Sequence, residues 1–325
     1  MSPQFGLGLQ SDKRPGSYAA LGRIAEEAGF DVVTVFNDLF FQPALPALLE
    51  LAGATSRVRL GASCLNPATL HPVEIAGQTA ALDLASGGRA FLGLAAGAWL
   101  DRIGIENARP LTAIRETWEI VQRLLAGDES GFAGSLFSLA PGSRLAYEPL
   151  RPAVPLLVGT WSPRLTAFAG EHAAELKLGG CANPAMVRLT RERLAATGRD
   201  VDVVVGAVTV VDRDDAAARA HARREVALYL PVVAGLDPTI SVDPELLARL
   251  RRLADEGRFD EAAASVSDEL LDLFAFAGSP ERIAEHARSL FAAGAARVEF
   301  GTPHGLDERR GVELLGSAVL PLLRA

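Results

Sequence analysis

Runs of like charge and long apolar runs are both missing from this chain of 325 residues. No Lys/Arg cluster appears and the formal net charge is −8, so the basic face that binds phosphate backbones is absent and no nucleic-acid partner is expected. No apolar stretch approaches the roughly 18 to 20 residues that cross a bilayer, so no membrane span is expected. Cysteine is scarce: Cys64 and Cys181 lie far apart and form neither a disulfide framework nor a CxxC motif, which suits a reduced cytoplasm. His172, His221 and His286 lack HxxxH or HExxH spacing, so no metal site is expected. The amino-terminal MSPQFGLGLQSDKRPG has no basic region leading into an apolar run, and no secretory leader is expected.

What is present is core-forming material, 49% hydrophobic residues against 22% charged, arranged in a repeating order. Short apolar runs at 5–9, 32–36, 58–62, 89–94, 155–158, 175–178, 201–211 and 298–300 predict strands. Most are followed by amphipathic stretches with helix signals, such as the Gly29 stop after 18–28 and the Ser279-Pro280-Glu281 start of 279–293. About eight strand and helix alternations, with connections long enough for parallel crossovers, predict one α/β domain, a (β/α)8 TIM barrel over 1–325. Two segments break the period and predict insertions, a Gly/Ser/Pro-rich one at about 128–152 and a mainly helical one at about 214–276. The alternative is a doubly wound sheet with a helical second domain, but its dinucleotide signal is incomplete because GLGLQS lacks the third glycine of GxGxxG.

In a barrel, ligands bind where the strands end, and the stretch LGASCLNPATLHP from Leu60 to Pro72 leaves a strand, turns at Asn66-Pro67 and enters a helix. Ser63 in GASCL lacks the second glycine of a GxSxG elbow and has no evident His partner, so a backbone role against a planar ligand is expected rather than nucleophilic attack. Cys64 reads as a small buried element of shape, and His71 as part of the helix start. Asn37 and Asp38 either end their strand or face a ligand. Trp99 and Trp161, at two further strand mouths, offer flat surfaces beside an aromatic ligand.

Four stretches, AEEAGFDVVTVFNDLF, LGASCLNPATLHPVEIAGQTAALDLASGGRAFLGLAAG, PLLVGTWSPRLTAFAGEHA and FAGSPERIAEHARSLFAAGAARVEFGTPHG, together resemble the luciferase-like monooxygenase superfamily. Within it the chain is similar to the methylenetetrahydromethanopterin reductase branch, which uses the deazaflavin coenzyme F-420. The NPxTxHP turn followed by LDxxSGGRxxLGxxxG is the most specific part.

The resemblance implies a bulged third strand with a non-prolyl cis peptide at Ser63–Cys64 backing the deazaflavin ring. It also implies a tail phosphate at the helix start formed by Gly159, Thr160, Trp161 and Ser162, where free N–H groups and the helix dipole favour an anion. Asp38, Ser63, Cys64, Asn66, Ala96 and Gly97 complete the expected coenzyme contacts, with Leu39, Phe40 and Trp99 toward substrate. Family members usually pair as homodimers.

Three departures bear on the chemistry. The family's Asp-His pair is Asp38-Leu39 here, a carboxylate common after the fourth strand falls on Ala98, and a glutamate of the first strand aligns with Gly8. Alcohol or sugar-phosphate dehydrogenation needs a base for the hydroxyl proton, so hydride delivery to an activated C=C or C=N bond of a small molecule is the expected reaction. Glu299 and His304, in VEFGTPHG, are the nearest replacement proton donors. An FMN-dependent luciferase-like monooxygenase, and a coenzyme-binding protein without turnover, are the alternatives.

Overall fold

Eight parallel strands form the centre of a computed structural model that describes residues 2–325. They are β1 (Gln4–Leu9), β2 (Val32–Val35), β3 (Arg59–Ala62), β4 (Leu92–Ala95), β7 (Leu156–Gly159), β8 (Glu175–Gly179), β9 (Asp202–Val211) and β11 (Arg297–Gly305). Their order is β3-β2-β1-β11-β9-β8-β7-β4, and parallel bridges Leu60–Ala90 and Leu65–Leu94 join the two ends into a barrel. The expected (β/α)8 architecture is found.

Between consecutive strands run α1 (Ser17–Ala28), α2 (Ala44–Ala54), α3 (Pro72–Ser86), α4 (Pro110–Ala126), α5 (Pro163–His172) and α6 (Pro184–Ala195). Proline at the first turn of α3, α4, α5 and α6 removes an N–H that would have no intrahelical partner. Asn183 caps α6, its Oδ1 accepting from Ala185 N at 2.9 Å.

The first insertion is a small antiparallel hairpin, β5 (Phe132–Ala133) and β6 (Ser138–Leu139). Glu116 of α4 holds its tip by accepting from the backbone N–H groups of Ser135, Leu136 and Phe137 at 2.7, 2.9 and 2.9 Å. The second insertion comprises α7 (Asp215–Val233), α8 (Pro244–Asp255), α9 (Phe259–Ala264) and α10 (Asp268–Phe274). It has a core of its own around Val226, Leu230, Leu250 and Phe274. It ends in a short strand that the mainly helical reading of 214–276 did not single out, β10 (Ala275–Gly278), which pairs with the outer half of β9. Next come α11 (Pro280–Ala292), β11, α12 (Glu308–Leu314) and α13 (Leu320–Arg324), with a π-helical turn at Leu315–Val319. No helix among the described residues is long and apolar enough to cross a membrane.

Alternation along β8 and β11 sends Leu176, Leu178, Val298 and Phe300 outward to the helices and the intervening residues into the barrel. Arg297 Nη1 donates to Glu175 Oε1 at 2.7 Å, and Arg59 Nη2 to the same oxygen at 2.6 Å. Arg59 and Glu175 lie on strands that are not sheet neighbours, so this contact crosses the interior. One layer higher, Lys177 pairs with Glu299, and Thr34 Oγ1 donates to Glu299 Oε1 at 2.9 Å. Gly6 and Gly206 make room for this layer: a Cβ on Gly6 would lie 2.9 Å from Glu299 Cγ, and one on Gly206 2.9 Å from Lys177 Cε. Val32, Phe91 and Leu157 fill the rest of the interior beneath Cys64.

Candidate active site

Above the charged layers the strand ends open into a cleft of about 1500 Å³. Its floor is Lys177 and Glu299, both buried, with Ser63 above them. Lys177 Nζ donates to Ser63 Oγ at 2.6 Å and lies 5.3 Å from the centre of the Phe36 ring. Glu299 Oε2 is buried without a hydrogen-bond partner, with Arg297 Nη2 3.9 Å from it. The floor thus has a hydroxyl at its surface, an ammonium behind it and a carboxylate behind that.

The peptide bond Ser63–Cys64 is cis, as the resemblance implies. Cys64 faces Gly159 across the cleft base, where a Cβ on Gly159 would approach its Sγ to 2.9 Å. Burial pushes the Cys64 thiol up to about 11, so it is uncharged at neutral pH and its nucleophilicity is low. Ala95, Ala96 and Gly97 line the same side with little side-chain bulk. Asn66 also lines the cleft, but its Oδ1 is occupied by Thr69 N at 3.1 Å and Thr69 Oγ1 at 3.0 Å, so it shapes its turn.

At the α5 end, Thr160, Trp161, Ser162, Arg164 and Leu165 line the cleft. Thr160 Oγ1 accepts from Ser162 N at 3.0 Å, and Trp161 Nε1 donates to Gly179 O at 3.1 Å. With Pro163 at N1 and Thr166 N bonded to Ser162 O, the N–H groups of Arg164 and Leu165 are the unclaimed donors of the first turn. On the opposite side Asp38 accepts from Gln10 Nε2 at 3.3 Å. Burial raises its pKa, while the Gln10 hydrogen bond and the Lys177 charge act the other way. Leu39 and Trp99 also line the cleft.

Two expected site residues fall elsewhere. Phe40 sits at a turn tip with φ of 69° and is 75% exposed, outside the cleft lining. His304 is fully buried, its Nε2 at hydrogen-bond distance from Gly8 O, 3.0 Å, and its Nδ1 lies 3.7 Å from Glu308 Oε1. The register of β11 against β9 shifts between Gly301 and His304, which turns His304 away from the cleft. It is therefore corrected to a residue of the packing behind β1.

Sequence reasoning missed Lys177, Gln10, Arg164 and the α7 face of the cleft. The signal for Lys177 was there: in ELKLG, charged and apolar residues alternate in step with the strand, and RVEF does the same. An apolar strand with charges at every second position carries them into the barrel.

Comparison with known proteins agrees with this fold. The chain is 29% identical over 338 residues to the 5,10-methylenetetrahydromethanopterin reductase of Archaeoglobus fulgidus, covering 99% of this chain and 100% of that one. The solved coenzyme F-420-dependent tetrahydromethanopterin reductase of Methanopyrus kandleri superposes with a TM-score of 0.90 at 26% identity, over 99% of each chain. An F-420-dependent secondary alcohol dehydrogenase shares the fold with a TM-score of 0.80 at 20% identity, over all of both chains. The luciferase-like monooxygenase family matches residues 1–297, and this chain belongs to that family.

Proposed function

We propose that this protein is a coenzyme F-420-dependent oxidoreductase that reduces an activated C=C or C=N bond of a small molecule. The observation that carries the proposal is the shape and charge of one continuous cleft. Its base is walled by Ala95, Ala96, Gly97 and Gly159, it reaches unclaimed N–H donors at the start of α5, and its floor is the buried Lys177–Glu299 pair. A flat ring fits against a base whose walls carry little side-chain bulk. A Cβ on Gly179 would meet nothing within 4 Å, whereas one on Gly159 would close the gap to Cys64. The amino end of α5 suits an anionic tail through its free N–H groups and dipole. The solved Methanopyrus kandleri reductase, which matches over 99% of each chain, is coenzyme F-420-dependent by name, which supports the same reading.

When bound, the reduced coenzyme supplies the hydride. The chain's own residues position, exclude water and manage the proton. Reduction of a C=C bond takes up one proton besides the hydride, and Ser63 Oγ is a cleft-lining hydroxyl hydrogen-bonded by Lys177 Nζ at 2.6 Å. Glu299 holds Lys177 in place from below. A C=N bond that is already an iminium needs no proton, and there the same groups act through charge alone. The enzyme is further proposed to work as a homodimer in the cytoplasm, in keeping with its acidic charge and two free cysteines.

Parallel equilibrium titrations with oxidised F-420 and with FMN test this reading. Saturable binding of F-420 and markedly weaker binding of FMN is the expected result. Tight FMN binding, with rapid reoxidation of the bound reduced flavin by oxygen, would replace it with the monooxygenase reading.

A further inference from the structure

The second insertion gives α7 two apolar faces, and only one of them is used by the fold. Ala218, Ala222, Val226 and Leu230 pack into the insertion's own core. Leu228, Val232 and Leu236, four residues apart along α7 and the short 3-10 turn after it, line the cleft and are 46%, 39% and 46% exposed. Phe259 at the start of α9 lines it too and is 46% exposed. Across the opening stand Leu39, Phe41 and Trp99 from the loops after β2 and β4. Single exposed apolar side chains need no explanation, but a set of this size turned toward one opening marks a binding surface.

The charges of the cleft are divided in a way that narrows the ligand. Arg102, Arg109 and Arg164 belong to the β4–α4 connection and α5, beside the amino end of α5. The insertion contributes Glu225 and Asp255 instead. An anion is drawn toward the arginines and repelled from the α7 wall. The cleft, at about 1500 Å³, is also larger than the roughly 300–1,000 Å³ of a site for one small ligand.

We infer that the outer half of the cleft, between α7–α9 and the Leu39–Phe41 side, is a substrate subsite for an apolar molecule without negative charge. The inference rests on the proposed function in that the coenzyme takes the floor and the α5 end, leaving this half for the substrate. It excludes phosphorylated and carboxylated substrates from the α7 wall, and it makes hydrocarbon bulk next to the reducible bond the feature that is recognised.

The test separates the subsite from the coenzyme. Nile red, a neutral apolar dye, is bound to the protein and displaced with 4-alkylcyclohexanones from methyl to butyl, which the enzyme need not turn over. Each added methylene is expected to improve displacement about fourfold. A 4-alkylcyclohexanecarboxylate of equal size is expected to be at least about tenfold weaker than the ketone, the equivalent of one well-placed repulsion. The double variant Leu228→Asn/Leu236→Asn should flatten the series while its F-420 affinity, measured by titration, stays unchanged. Leu49→Asn, an exposed apolar position on α2 outside the cleft, should leave the series intact. Absence of chain-length dependence, an equal series in the double variant, or equal binding of the carboxylates would overturn the inference. So would sedimentation showing that the parent self-associates and the double variant does not, since the wall would then be a subunit contact. Loss of F-420 binding in the parent with the alkyl series preserved would remove the proposed function and leave an apolar binding site.

Discussion

Lys177 Nζ lies 2.6 Å from Ser63 Oγ and on its other side pairs with Glu299, so one buried ammonium links the cleft surface to a carboxylate in the barrel interior. Burying two charges is costly, and what makes the pair tolerable is that each neutralises the other. Lys177→Met leaves Glu299 with Thr34 alone at hydrogen-bond distance and is expected to destabilise the fold by about 3–5 kcal/mol. Adding Glu299→Gln should recover a large part of that loss. Urea unfolding of the two single variants and the double variant measures it, and additive losses would show that the pair is not coupled.

Gly159 faces Cys64 at the base of the cleft, where a Cβ would come to 2.9 Å from Sγ. Gly159→Ala is expected to cost about 1–3 kcal/mol through overpacking and to weaken coenzyme binding roughly tenfold or more. Cys64→Ala in the same chain removes the colliding sulfur and should restore both. Calorimetric binding together with thermal unfolding reads the two effects separately.

The thiol of Cys64 is held at about 11 by burial, and that of Cys181 at about 12. Alkylation proceeds through the thiolate, so iodoacetamide at pH 8 should label Cys64 on the order of 100-fold more slowly than a free thiol. The rate should climb about tenfold per pH unit as the thiolate population grows, and saturating coenzyme should suppress it. Peptide mass spectrometry resolves Cys64 from Cys181, which is fully buried and should not react in the folded protein.

Burial also raises the pKa of Asp38 above its ordinary value, and here the direction of the stability effect is fixed by linkage. The folded state then holds the Asp38 proton more tightly than the unfolded state does. Its contribution is fully present below the ordinary carboxylate range and declines as pH rises toward the raised folded pKa. Asp38→Asn should therefore be more stable than the parent at pH 7, and the difference should shrink as pH falls through that range. Denaturant midpoints across pH measure this, and a variant that loses stability at neutral pH would contradict it.

The barrel was legible because its strands are short apolar runs, its helices carry caps and first-turn prolines, and the period holds for most of the chain. The mouth was legible because the ends of strands are where such folds bind ligands: Asp38, Ser63, Gly97 and Thr160 all line the cleft. The interior was less so. Alternation in ELKLG shows that Glu175 and Lys177 share a face, but only barrel closure sets them against Arg59, Arg297 and Glu299. His304 was misplaced because the register shift in β11 is invisible in VEFGTPHG. Phe40 was misplaced because its neighbours Leu39 and Phe41 face the cleft while the turn tip itself points out.

The most direct measurement is a crystal structure of the protein grown with F-420. The deazaflavin ring is predicted against the Ser63–Cys64 segment, with its tail phosphate at the backbone N–H groups of Arg164 and Leu165. A cleft that takes up no coenzyme at saturating concentration, or a ring bound away from Cys64 and Gly159, would contradict it.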